Sequence, residues 1–178
     1  MNLQTALAHH RAGRLAQAVA IYQQILEANP NDSEALHWLG NAAGQLGEID
    51  LAVTLLAKAH TLAPRNAQYL LSLGAMHRAR QAYEPSLACY EQALALQPGS
   101  GAACYGKGMA LQRLGRTQDA MAALRKALAL APNHAQATLS LAYLLRETGE
   151  LDEAARHYRQ AIATTPALAS AHYGLGIA

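Results

Sequence analysis

Residues Asn31–Pro64 read NDSEALHWLGNAAGQLGEIDLAVTLLAKAHTLAP, and the landmarks of this stretch return at one fixed interval along the chain. Prolines stand evenly spaced at Pro30, Pro64, Pro98, Pro132 and Pro166. Their spacing, about 34 residues, lies in the range of ~20–50 that identifies a stacked-repeat architecture and takes precedence over any local assignment. A small residue recurs in the first half of each unit, at Ala6, Gly40, Gly74, Gly108, Ala142 and Gly176. A mid-unit breaker follows at Gly13, Gly47, Gly115 and Gly149, with Gln81 in the third unit. The second half carries Ala18, Ala52, Ser86, Ala120 and Ala154, each followed one helical turn later by Tyr22, Leu56, Tyr90, Leu124 or Tyr158.

Small and bulky residues three or four apart share one helical face, so a neighbouring helix can come close there. Each unit therefore predicts a helix, a glycine turn and a second helix, closed by a proline through which the helix cannot run. The expected fold is an all-α solenoid of antiparallel helix pairs forming one domain over 1–178. Five full repeats (1–30, 31–64, 65–98, 99–132, 133–166) precede a partial sixth at 167–178.

These columns resemble the tetratricopeptide repeat family, and the resemblance runs through essentially the whole chain. The family pattern is aromatic-x-x-Leu-Gly-x-x-Tyr, then Ala-x-x-x-Phe, then Pro. The second unit gives Leu36-x-x-Leu39-Gly40-x-x-Ala43, Ala52-x-x-x-Leu56 and Pro64; the fifth gives Thr138-x-x-Leu141-Ala142-x-x-Leu145, Ala154-x-x-x-Tyr158 and Pro166. Leu, Thr, Cys104 and His172 dilute the aromatic columns, and Lys107 replaces an expected Leu. The unbroken register of five units carries the assignment where no single unit would. The resemblance implies a right-handed superhelix, of the kind seen in bacterial-type multi-repeat arrays.

Composition agrees. The chain is 52% hydrophobic, with no Phe and one Trp, so alanine dominates, as close helix–helix packing favours. A formal net charge of +2, from 14 basic and 12 acidic residues, is too mild and too evenly spread to point to nucleic acid. Cys89 and Cys104 form no disulfide framework or metal spacing and read as small buried hydrophobes. The opening MNLQTALAHHRA reads as an amphipathic helix rather than a signal peptide, and no apolar run approaches the ~18 residues of a membrane span. A cytoplasmic location fits best.

Along the chain, Leu15–Ala28 should pair with the opening helix, and Asn31, Asp32 and Ser33 offer side-chain oxygens to cap the next one. Pro85 falls in a first helical turn, where its missing N–H has no partner, so no kink is expected. The Gly99-Ser100-Gly101 junction reads as an ordinary inter-repeat turn. The last half-repeat, with Tyr173, Leu175 and Ile177, would leave an unpaired edge. Continuation of the native chain past Ala178 is the favoured reading, and docking of that edge on a second copy is the other.

No chemistry-bearing constellation emerges. The adjacent His9 and His10 point about 100° apart on a helix, and no cluster of His, Cys, Asp and Glu reads as a metal site, so neither metal nor cofactor is expected. Gly106 and Gly108 fall within a helix and read as close-packing positions. Glu147, Glu150, Asp152 and Glu153 surround the Gly149 turn, as solvated acids at a helix N-terminus do. The chain is not expected to be an enzyme.

Binding is the expected role. In a superhelical stack the first helices line the concave side. One column there is Leu3, His37, Leu71, Tyr105, Leu139 and Tyr173; a second is Leu7, Asn41, Ala75, Met109, Tyr143 and Ile177. Between them lie Gln4, Trp38, Ser72, Gly106, Ser140 and Gly174, and the next turn presents Arg78, Gln112, Arg113 and Arg146. The expected groove residues are His37, Trp38, Asn41, Leu71, Ser72, Arg78, Tyr105, Met109, Arg113, Tyr143 and Arg146. Aromatic side chains, methionine and arginine are enriched at interfaces. The expected partner is therefore a protein or peptide with apolar anchors and some acidic residues. Competing with this, the same tyrosines would simply pack adjacent first helices.

Within the family, some members clamp a chaperone's acidic tail with Lys and Asn. The corresponding positions here are His37, Asn41, Ser72, Ala102 and Gly106, so only the Asn matches. The opening ALAHHRAGRLAQAVAIYQQIL also resembles the N-terminal arms of bacterial O-linked N-acetylglucosamine transferase-like enzymes and sulfotransferases. The transferase arms often carry an asparagine ladder, and Gln4, Trp38, Ser72, Gly106, Ser140 and Gly174 stand in its place. Three expectations follow: a scaffold that binds a partner peptide in its groove, the substrate-recruiting arm of a larger enzyme, or a module that self-associates through its C-terminal half-repeat. The first is preferred.

Overall fold

The computed structural model describes residues 2–166 and 168–177. Met1, Ala167 and Ala178, which the expected repeat boundaries include, lie outside the described residues. Among the described residues are eleven α-helices and no strand: α1 (Leu3–Arg11), α2 (Leu15–Ala28), α3 (Ser33–Gln45), α4 (Ile49–Leu62), α5 (Ala67–Ala79), α6 (Tyr83–Leu96), α7 (Gly101–Arg113), α8 (Thr117–Leu130), α9 (Ala135–Glu147), α10 (Leu151–Thr164) and α11 (Ala169–Gly176). By its contacts the chain divides into two compact units, Met1–Leu96 and Gln97–Ala178. In the first, α1, α3 and α5 pair with α2, α4 and α6; in the second, α7 and α9 pair with α8 and α10, and α11 packs on α10. First helices of neighbouring repeats also touch, α3 with α5 and α9 with α11. The chain is an all-α solenoid of helix pairs.

The turn inside each pair has one chemistry. Gly13, Gly47, Gly115 and Gly149 adopt φ of 73°, 86°, 74° and 86°, the left-handed conformation that ends a helix with little strain in glycine. The residue after each glycine donates its N–H back to the closing helix: Arg14 to His9 O, Glu48 to Ala43 O, Arg116 to Leu111 O and Glu150 to Leu145 O, over 2.8–2.9 Å. That same residue is the N-cap of the second helix, and none of the four side chains accepts a capping bond from the first turn, the two arginines having no acceptor to offer. Gln81 makes the same turn with φ 61°, and the bond from Ala82 N to His77 O is kept at 2.9 Å. Pro85 lies in the first turn of α6, which runs unbroken to Leu96.

Between repeats the proline dictates the geometry. A residue before proline is pushed out of the helical region; Asn29, Ala63, Ala131 and Thr165 accordingly sit at φ near −140° and end their helices. The next first helix is then capped by the side chain of Asp32, Asn66, Ser100 or His134, each at the same position of its repeat, accepting from N–H groups of the first turn. His134 does this through Nδ1, 3.2 Å from Ala137 N. A second recurring bond ties each of two repeats to the one before it. Lys58 donates to the Pro30 carbonyl at 2.7 Å, and Gln160 to that of Pro132 at 3.5 Å.

Packing follows the small–large columns. Ala18, Ala52, Ser86, Ala120 and Ala154 are all completely buried. The helices of a pair cross so closely that a Cβ on Gly40 or Gly108 would lie 2.8 or 2.9 Å from Cγ of Leu56 or Leu124. On Gly74 it would meet the Tyr90 ring. Tyr22 and Tyr158 are among the largest fully enclosed side chains, and each buried residue of this size contributes about 1.5–3 kcal/mol. Cys89 and Cys104 are free thiols inside this packing, and burial pushes Cys89 up to about 11.

Candidate functional site

The first-helix residues singled out in the sequence fall into two sets, one in each unit. In the first unit, His37 is buried, with 4% of its surface exposed, and its ring stacks on Tyr69 at 4.7 Å and meets Trp38 edge-on at 5.2 Å. With Nε2 unprotonated, the Ser72 hydroxyl at 2.9 Å and the Asn41 amide at 3.0 Å both donate to it. Burial lowers the His37 imidazole to about 4, so it is neutral near pH 7. Ser72 is buried as well. His37 and Ser72 thus pack α3 against α5. Trp38 is half-buried over Ala6, Ala18, Ile21 and Tyr22, and meets His10 edge-on at 5.6 Å. Asn41 and Leu71 are half-buried and Arg78 is exposed.

The second unit brings its set together. A concave pocket of about 460 Å³ opens between α7, α9 and α11, with Tyr158 of α10 contributing to its lining. Its walls include Met109 and Arg113 from α7, Tyr143 and Arg146 from α9, and Tyr173 from α11. Tyr143 is 42% and Tyr173 71% exposed, large apolar surfaces to leave in water. Ser140 donates to the Met109 sulfur at 3.4 Å. Tyr105 does not line this pocket and leans on the His134 ring at 4.7 Å instead.

Arg146 is held from two sides. Its guanidinium lies over the Tyr143 ring, 5.0 Å from the centroid, and its Nη2 donates to Glu147 Oε1 at 2.7 Å. That hydrogen bond, ahead of all other influences, raises the Arg146 pKa further, so the charge is permanent. Burial raises the Tyr158 phenol, so Tyr158 and Arg146 each keep one protonation state in neutral solution. The lining carries two arginines and no carboxylate among the described residues. Sequence columns pointed to Leu139, Ser140 and Tyr173 as part of this face, but not to Tyr158 or Ser170. Tyr158 belongs to the small–large packing column and carried no separate signal.

A family profile described as tetratricopeptide repeat matches residues 77–135, 105–169 and 139–178, and a second of the same description matches 9–76. The chain belongs to the tetratricopeptide repeat family. No curated protein matches it in sequence. Solved tetratricopeptide structures share the fold. MamA from Desulfovibrio magneticus RS-1 superposes with a TM-score of 0.82 at 22% identity, covering 93% of this chain and 94% of that one. YrrB, described as a TPR protein with an unusual peptide-binding site, gives 0.77 at 20% identity over 96% of this chain and 88% of that chain. The thermophilic TPR protein TTC0263 of Thermus thermophilus gives 0.76 at 24% identity over 98% and 95%. Among the described residues no cluster of three or more His, Cys, Asp or Glu could hold a metal ion, and no helix is long and apolar enough to cross a membrane.

Proposed function

We propose that this chain is a non-enzymatic protein-interaction scaffold that takes a segment of a partner protein on its first helices. The observation that carries the reading is the pocket between α7, α9 and α11, where exposed Tyr143 and Tyr173 flank fixed Arg146. Rigid aromatic and arginine side chains in a concavity are what binding hot spots are made of. Membership of a repeat family, and the peptide-binding site named for YrrB, support the same reading. In the first unit, Trp38 and Arg78 offer first-helix surface of the same kind, with His37 and Ser72 packed beneath it.

The test is selection of short peptides from a random display library against the full chain. Selected peptides should lose binding to a Tyr143→Ala/Tyr173→Ala variant whose helical circular dichroism is unchanged. Binding that survives in that folded variant overturns the proposal. A second reading, self-association through α11, draws on the exposure of Tyr173 and Ile177, 71% and 51%. A strictly monomeric chain in light scattering at high concentration would sink it.

A further inference from the structure

We propose that His134 makes the start of α9 sensitive to acid: the neutral ring caps the helix, and the protonated ring releases it. The cap position of the repeat is filled by Asp32 before α3, Asn66 before α5, Ser100 before α7 and His134 before α9, each accepting from a first-turn N–H. Of these four side chains, only the imidazole loses its capacity to accept within the range of about pH 5–8.

The geometry fixes which form of the ring can act as the cap. Ala137 N donates to His134 Nδ1 over 3.2 Å, so Nδ1 holds the lone pair and the proton of the neutral ring sits on Nε2. Protonation puts an N–H where the acceptor was, and two donors then face each other. Ala137 is completely buried, so its N–H meets no water in exchange. Stranding a buried donor costs the full desolvation of that group. The imidazolium would also stand at the positive end of the α9 dipole, where a cation is unfavourable. No acidic residue lies in the first turn to offset it.

One neighbour opposes the effect. From α7 the Tyr105 ring lies against the imidazole, with centroids 4.7 Å apart and planes at 38°, and an aromatic face attracts a cation. Among the described residues no side chain of α8 or α9 forms an ion pair with His134. The lost cap and the helix dipole thus act in one direction against a single attraction, and acid weakens the start of the helix. Beyond this cap α9 continues into Leu139 and Ser140, which line the pocket of the second unit, while Tyr105 rests on the ring itself. Acid therefore loosens the α9 side of that pocket, whereas the caps of α3, α5 and α7 do not change in this range.

The test follows the full chain by NMR from about pH 8 to pH 5, beside a His134→Asn variant whose cap accepts throughout, as Asn66 does for α5. In the parent, the Ala137 amide resonance should shift in step with the His134 ring. Its opening constant, from hydrogen exchange corrected for the intrinsic effect of pH, should rise about fivefold, the size of one lost cap. In His134→Asn the amide should stay still and the opening constant flat. His37 is common to both proteins and cancels in the comparison. His134→Ala should show the raised opening constant already at the upper end of the range and no further rise with acid. An Ala137 amide that ignores the ring, or a neutral ring carrying its proton on Nδ1, overturns the proposal. So does protection at Ala137 that increases with acid, which would mean that the attraction of Tyr105 prevails. No ligand enters the measurement, so its outcome is independent of the scaffold reading.

Discussion

The Ser86 hydroxyl donates to the Gly74 carbonyl over 2.8 Å, in a column whose other members are all alanine. Ser86 is completely buried, so its hydroxyl needs that partner, whereas the carbonyl is already engaged within α5. Removing the hydroxyl leaves no stranded donor, and an alanine fits the sister positions. Ser86→Ala should change stability by less than about 1 kcal/mol, while Ser86→Val should overpack the crossing and cost about 1–3 kcal/mol. Urea denaturation of the two variants decides it; a large loss in the alanine variant would contradict the account.

Gln81 carries the turn that glycine carries in four other repeats, at φ 61°. A side chain in that region costs about 1–2 kcal/mol, and glycine's greater freedom in the unfolded chain takes back about 0.5–1 kcal/mol. Gln81→Gly should therefore stabilise by about 0.5–1 kcal/mol, read as a higher urea midpoint at unchanged slope. Gly47→Ala should move the midpoint the other way.

Gly108 and Gly176 occupy the same repeat position, yet they should respond differently to alanine. At Gly108 the added Cβ meets Leu124 Cγ at 2.9 Å and the Ala120 carbonyl at 3.3 Å; at Gly176 nothing lies within 4 Å. Gly108→Ala is expected to cost about 1–3 kcal/mol and Gly176→Ala to stay within about 0.5 kcal/mol of the parent. Thermal unfolding of both variants provides the comparison.

The buried His37 gives the stability a pH dependence of known sign. Its folded value, near 4, lies below the ordinary 6.5, so between these limits the unfolded chain binds the extra proton. The contribution is present in full above about pH 6.5, falls as pH drops toward 4, and amounts to about 3 kcal/mol. His37→Asn should flatten the stability profile across that window relative to the parent. Identical slopes in the two proteins would mean the ring is not the group responsible.

The helices and their turns were legible because each rests on local chemistry repeated at one period: proline, glycine and a small–large pair. The positive φ at Gln81 was legible only through its column, since a glutamine by itself carries no signal for a left-handed turn. The binding face was half legible. A single column places His37, Tyr105 and Tyr173 alike, but α5 covers His37, His134 carries Tyr105, and no described first helix follows α11 to cover Tyr173. Burial at these positions depends on the neighbouring repeat, which a pattern within one repeat cannot report. Tyr158 shows the reverse case, a packing residue that also meets a cavity.

The bond from Lys58 to the Pro30 carbonyl spans 28 residues, and the one between Ser33 and Tyr69 spans 36. Such ties join a repeat to its neighbour and reach no further. Loop closure over so short a distance costs little entropy, and low contact order speeds folding. Within each unit, then, structure can start at any helix pair and spread outward, with no distant partner to await. A chain assembled in that way can be lengthened or shortened by whole repeats without renegotiating its core, a freedom that a globular domain of this size does not have.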